Sequence, residues 1–324
     1  FFGTTMGTQY TVRLVEPAGE VDLAAVKQQI DARLAAINRQ MSTYLPDSEI
    51  SRFNRYAGQD WFAVSADVVR VAGAALEVSR STDGAFDVTV GPLVNLWGFG
   101  PAGRPGAVPT EEAVAECRCR VGYGLLAVRD EPPALRKHRA DVYVDLSAIA
   151  KGFAVDEIAQ ILEQHGVRGY MVEIGGEVRT AGRKPDGSLW RIGIERPVAG
   201  ERAIACVVEL DGRSLATSGD YRNFFQQQGR RYSHAIDPRT GRPVEHGLVS
   251  VSVLADDCMT ADAWATALMV LGPESALAMA RQHGLDVLCM IRMPEGLVEQ
   301  TTPGFAARLR RNEKGHSTTF HVVL

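Results

Sequence analysis

No apolar run in the sequence approaches the roughly 20 residues that a membrane-spanning helix needs. An excess of positive charge is also missing. With 35 Lys and Arg against 39 Asp and Glu, the formal net charge is −4 and both signs are spread along the chain. That leaves no basic face of the kind a nucleic-acid partner requires. Cysteines are few: Cys117, Cys119, Cys206, Cys258 and Cys289, an odd count with no pair at zinc-ligand spacing beside histidines. They point to no metal site and do not reveal the redox compartment. Cys117 and Cys119 form a C-x-C among charged neighbours and read as small residues in a helix or at its end. No G-x-x-x-x-G-K-[ST] occurs, which excludes a P-loop, and there is no internal repeat or low-complexity tract. The chain begins "FFGTTMGTQY", without Met or an apolar leader, so any targeting segment is expected to have been removed.

What is present is ample material for a large core, 45% hydrophobic residues over 324 positions. Val21, Leu23, Val26, Ile30, Leu34 and Ile37 recur at helical spacing and predict a long amphipathic helix. Pro46-Asp47-Ser48 reads as a start signal for a short helix or a polar loop. A second helix is expected over 66–80, ended by Asp83-Gly84, a short one from Thr110, and another from about Ile149 to His165 with Gly166 as its stop. The last two fall at "DCMTADAWATALMVLG" and at about 273–283. Strands are expected at "TTMGTQYTVRLVE", "AFDVTV", "LLAVRD" and "DVYVDLS", then densely from 168 to 255, and finally at "LDVLCMI" and "TTFHVVL". Asp211-Gly212 and Gly229 mark hairpin turns. Grouped helices and hairpinned strands indicate an α+β protein with largely antiparallel sheet rather than βαβ alternation. A single domain spanning 1–324 is expected, with room for two lobes around a cleft.

Several stretches carry chemistry. "GFGPAG", Gly98–Gly103, matches a dinucleotide fingerprint by letter, but Pro101 and Pro105 bracket the third glycine and no helix pattern follows, so it reads as a turn. In "VDLSAIAKGFAVDEI" a strand ends at Asp145 and a helix begins a few residues later with Lys151 in its first turn, where the dipole disfavours a cation. Either Lys151 is simply solvated, or it joins the free N–H groups of the helix start in cradling phosphates while Asp145 meets a ligand donor or a metal. Asp87, beside Phe86 in "GAFDVTVGP", is a strand-edge acid or one flank of a planar ring. His234 stands on a strand before "DPRTG", among a Ser, an Asp and several Arg, and is either structural or an acid–base group. Asp262 and Thr266 lie four apart on one helix face. They are an ordinary carboxylate–dipole pairing with a back-bonded hydroxyl, or an open oxygen site for Mg²⁺ that substrate phosphates complete.

In order along nearly the whole chain, "TTMGTQY", "MSTYLPDSEISRFN", "GAFDVTVGPLVNLWGFG", "VDLSAIAKGFAVD", "EIGGEVRTAG", "ATSGDYRNFF", "SHAIDPRTGRPVEH" and "ADAWATALMVLG" resemble the ApbE family of flavin transferases. The resemblance implies a T-fold-like α+β arrangement with FAD held in a cleft between two halves. It implies Mg²⁺-dependent cleavage of the FAD pyrophosphate, transfer of FMN through a phosphoester to a Thr or Ser of an acceptor protein, and release of AMP. The acceptors implied are subunits of membrane electron-transfer or ion-pumping complexes, and the place is the bacterial periplasm or the outer face of the inner membrane, lipid-anchored or soluble. Carried over by position, Met6 and Tyr44 would line the flavin pocket, Ala85, Phe86 and Asp87 would contact FAD, and Asp145, Lys151 and Ile236 would complete its surroundings. Mg²⁺ would be held by the Ala148 carbonyl, Asp262 and Thr266, while His234 is the leading candidate for the base. Some relatives place a second Asp where this chain has Ala265, so phosphate oxygens would supply more of the shell. Hydrolysis of FAD to FMN and AMP, or FAD binding without chemistry, are the competing readings.

Overall fold

The computed structural model describes residues 1–15, 21–101, 103, 107–197, 203–221, 223–227, 229–310 and 321–322. Its centre is an eight-stranded sheet, β1 (Phe2–Thr5), β2 (Thr8–Leu14), β3 (Tyr170–Ile174), β4 (Glu177–Ala181), β5 (Ser214–Gly219), β6 (Leu248–Ala255), β7 (Asp286–Met293) and β8 (Gly296–Thr301). Spatial order equals chain order and every neighbouring pair is antiparallel. The helices are α1 (Leu23–Met41), α2 (Glu49–Arg55), α3 (Ala66–Ser81), α4 (Gly91–Leu96), α5 (Glu111–Arg118), α6 (Ala150–Gln164), α7 (Cys258–Leu271), α8 (Pro273–Gln282) and α9 (Pro303–Ala306).

Strand alternation assigns the two faces of the sheet. Val172, Ala216, Val251, Val253, Val287 and Cys289 point to one side, where they join α1, α3, α6 and α7 in the main core. Met171, Val178, Leu215, Leu254, Leu288 and Met290 point to the other, against a smaller sheet built on Trp190–Glu195 and Ile204–Leu210. The result is three layers, helix on sheet on sheet, and the mixed helix and antiparallel composition is as expected. α7 is buried along nearly its whole length, including Trp264, Ala265, Leu268 and Met269, which explains why its sequence is apolar on most sides. A third cluster joins α4 and α5 to the hairpin Phe224–Gln227/Arg230–Ser233 through Trp97, Phe99, Phe225 and Tyr232, whose rings meet in series, Trp97 on Tyr232 and Tyr232 on Phe225 stacked and Phe99 tilted against Phe225.

Helix starts follow their caps. Asp22, Ser48, Ser65, Thr110 and Asp257 each accept from a backbone N–H one turn on. Gly166, at φ 76°, closes α6 as its position suggested.

Two expected strands are absent. "AFDVTV" is a sequence of turns, because the Asp87 carboxylate takes the N–H and hydroxyl of Thr89 and so replaces a ladder. Among the described residues "DVYVDLS" pairs with no strand. Both backbone groups of Val144 are met by the side-chain amide of Asn54, N–H to Oδ1 at 2.8 Å and Nδ2 to the carbonyl at 2.9 Å. The glycine- and proline-rich crossing contains α4, which had not been foreseen. Ala102 and Pro105 of that stretch, like most of "TTFHVVL", lie outside the described residues.

Candidate active site

A cavity of about 410 Å³ opens where the start of α6, the Asp262–Thr266–Val270 face of α7, the ends of β4 and β5, the 85–90 turns and the 234–238 segment converge. That volume is within the usual range for ligand clefts. Its floor is made by a charged cluster. The Lys151 ammonium donates to Glu177 Oε1 at 2.6 Å, and the Asp262 carboxylate stands close enough to act electrostatically on both. Asp262 itself accepts from the Gly152 backbone N–H at 3.0 Å through Oδ2.

Each group arrives by simple geometry. Lys151 lies in the first turn of α6, whose N-cap Ile149 offers no side-chain acceptor. Because Val178 faces the small sheet, its neighbours Glu177 and Arg179 must face the helices. By the same parity on β5, Ala216 and Ser218 face α7. Asp262 sits in the second turn of α7, not the first, and the α7 N-cap is Asp257. The helix-dipole explanation for Asp262 therefore loses its basis. Thr266, one turn further, lines the cavity, and its hydroxyl has no hydrogen-bond partner among the described residues.

The electrostatics are unbalanced. Burial raises the carboxyls of Glu177 and Asp262, with Lys151 opposing the rise. Burial would lower Lys151, but Glu177 and Asp262 more than offset it and hold the ammonium charged. Two buried carboxyl groups face one cation, and among the described residues Glu177 Oε2 is enclosed without a partner. Among the described residues no group of three His, Cys, Asp or Glu is arranged to hold a metal. What the floor offers instead is hard oxygen (Asp262, the Thr266 hydroxyl, the Ala148 segment) and a deficit of positive charge. That donor set fits a hard divalent cation carrying few protein ligands, and fits softer metals poorly.

On the wall, His234 follows the hairpin and its Nδ1 lies 3.0 Å from the Asn223 carbonyl. A carbonyl only accepts, so Nδ1 carries the proton and Nε2 keeps its lone pair. Burial lowers this imidazole below its ordinary value, with the Asn223 contact opposing, which keeps it neutral near pH 7. Asp87 is buried, its carboxyl raised by burial against the bonds from Thr89. Tyr44 is 68% exposed yet lines the cavity, an aromatic face with little protein to cover it.

Of the positions singled out in the sequence, Tyr44, Ala85, Phe86, Asp87, Asp145 and Lys151 all line this one cavity. Ala148, His234, Ile236, Asp262 and Thr266 do so as well. Met6 does not. It occupies the tight β1–β2 turn at φ 49°, followed by Gly7 at φ 72°, packed partly on the main core. Asp145 ends no strand; its Oδ1 takes the Ser147 N–H in a turn that leads to Ala148. Sequence reasoning missed Glu177, Ser218 and Asn223. The available signal for Glu177 was an acid at a helix-facing position of a short strand, which shows only once the face of Val178 is known.

Residues 6–289 match the model of the ApbE family. The chain is 46% identical to the "FAD:protein FMN transferase" of Vibrio cholerae serotype O1 over 94% of its own length and 90% of that protein. It is 45% identical to the protein of the same name from Haemophilus influenzae, over 94% and 89%. Among solved structures, the flavin transferase ApbE from Vibrio cholerae superposes with a TM-score of 0.88 at 44% identity, covering 95% of this chain and 98% of that one.

Proposed function

The chain belongs to the ApbE family and is a transferase, and from that premise we propose that it moves FMN from FAD to a hydroxyl of an acceptor protein, releasing AMP. The observation that carries the reading is the meeting, in one cavity, of Lys151, Glu177 and Asp262 with a neutral His234.

In this reading the Tyr44 ring stacks on the flavin, and the turns at Ala85–Asp87 and Asp145 hold the dinucleotide in place. Lys151 neutralises oxygens of the diphosphate. The acceptor threonine or serine oxygen attacks the phosphorus of the FMN half, the P–O bond to AMP breaks, and His234 Nε2 takes the hydroxyl proton. Asp262, the Thr266 hydroxyl and the Ala148 carbonyl would hold Mg²⁺, which when bound supplies charge neutralisation for the diphosphate. Ala265 adds no charge there, so the bound diphosphate contributes more of the shell than it would beside a second carboxylate. The acceptors are subunits of membrane electron-transfer or ion-pumping complexes, met in the periplasm or at the outer face of the inner membrane. No helix among the described residues is long and apolar enough to cross a membrane.

Incubation with FAD and Mg²⁺, with and without an acceptor domain, tests this through AMP release and acceptor mass. Acceptor-dependent AMP together with an FMN adduct is the expected result. AMP formed equally without acceptor would make the protein a pyrophosphatase, and FAD bound without AMP would make it a binding protein.

A further inference from the structure

An α-helix leaves its first N–H groups without intrahelical partners, and those of α7 are served in an unusual way. Its own N-cap, Asp257, serves a single N–H with its side chain, that of Thr260 at 2.8 Å, and also takes the Thr260 hydroxyl at 2.9 Å. The N–H groups of Cys258 and Met259 go to a carboxylate of another helix, Asp156 of α6, at 2.9 to 3.0 Å. Asp156 is 2% exposed and also accepts from Arg179 Nη1 of β4 at 2.7 Å. One side chain thus joins α6, α7 and β4, the three elements that deliver Lys151, Asp262 and Glu177.

One turn earlier on the same face of α6 stands Gly152. A β-carbon there would lie 2.3 Å from the Cys258 carbonyl oxygen and 2.8 Å from Asp262 Cβ. No side chain fits, and the absence of one lets the α6 backbone approach until the Gly152 N–H reaches Asp262 Oδ2 at 3.0 Å. Asp262 is in turn four residues beyond Cys258, so one turn of α6 is matched against one turn of α7. The contact at one end fixes the helix start and the contact at the other fixes the carboxylate.

We propose that Gly152 and Asp156 are positioning residues that aim the Asp262 carboxylate at a divalent cation. Asp156 sets the axial position of α7, and the Gly152 N–H sets the rotation of the carboxylate, leaving Oδ1 for the ion. Neither residue touches substrate. The inference rests on the proposed cation site and concerns how the protein builds it. Groups that orient a metal ligand typically change affinity by about 10- to 100-fold when removed.

The test uses the full chain and Mn²⁺ as a paramagnetic stand-in, with free and bound ion counted by electron paramagnetic resonance in the absence of turnover. Wild type, Asp262→Ala, Asp156→Asn and Gly152→Ala are compared at a temperature well below each unfolding midpoint, where a purely global loss of stability does not move the dissociation constant. Wild type is expected to bind and Asp262→Ala to fail. Asp156→Asn and Gly152→Ala should each weaken Mn²⁺ by about tenfold or more. If Gly152→Ala does not fold, Asp156→Asn decides, and the reverse holds equally. Should wild type and Asp262→Ala bind alike, the cation site itself is wrong. Should Asp262→Ala fail while both α6 variants bind as wild type does, the cation site stands and the positioning role is overturned.

Discussion

At the scale of single residues, the imidazole of His234 is the group whose state is best defined by its surroundings. Its Nδ1 proton is committed to the Asn223 carbonyl and its pKa is lowered by burial, so the lone pair on Nε2 is available at neutral pH. A group of this kind acts as a base above its pKa and is lost as acid protonates it. The rate of acceptor modification should therefore fall as pH drops through a value below the ordinary imidazole pKa of about 6.5. His234→Gln should cost about 10²- to 10⁴-fold in that rate, and its residual activity should lack the acid limb. An unchanged limb in the variant would assign the proton to another group. The chemistry of such residues was partly legible in advance. His234, Asp262, Thr266 and Lys151 could be singled out, because a charged or polar group in an apolar or dipole-opposed setting asks for a reason. Glu177 could not, because its role depends on which face of a strand it occupies.

At the scale of elements, the long helices were legible, whereas the short helix α4 and the irregular segments were not. α1, α3, α6 and α7 announce themselves by apolar spacing, and α1, α3 and α7 also carry N-cap side chains that bond the helix start. The segment 141–147 misled because Val142 and Val144 are both buried and alternate as in a strand, although among the described residues no strand pairs with them. Local pattern reports burial of one face; it does not report what satisfies the backbone. Here a side chain does so, and Asn54 stands in for a neighbouring strand at Val144. The Lys137 ammonium, bonded to the carbonyls of Asn54, Tyr56 and Ala140, fastens the same corner. Asn54→Ala removes two bonds from a half-buried backbone and should destabilise the protein by about 2 kcal/mol in denaturant unfolding. Because the freed segment leads into Asp145 and Ala148, the KM for FAD should rise more than kcat falls. A stability loss with unchanged KM would show that the corner is independent of the cleft.

At the scale of the whole molecule, the cleft joins parts that share few strands: the 85–100 and 234–238 segments on one side, the sheet with α6 and α7 on the other. A ligand bound there ties these parts together, and mass action predicts the gain. At about 100 times its dissociation constant, FAD with Mg²⁺ should add about 2.7 kcal/mol, a rise in Tm of about 4 °C for a chain of this size. Asp262→Asn provides the control. It keeps an oxygen for the Gly152 N–H while removing one of two crowded buried charges, so in chelator its Tm should equal or exceed that of wild type. It should also lose the Mg²⁺-dependent part of the rise. A full Mg²⁺ response in this variant would count against the assigned ligand.

The parity that sends Glu177 and Ser218 toward the helices while Val178 and Leu215 face the small sheet limits how the family can diversify. A side chain in β4 or β5 can be exchanged without moving its neighbours, but adding or deleting one residue reverses every position beyond it. Such a change would turn Glu177 away from Lys151 and push an aliphatic side chain into the cleft. Length variation within the lineage should therefore collect in connections away from these two strands, such as residues 182–189, where the chain turns in solvent and carries no group of the site.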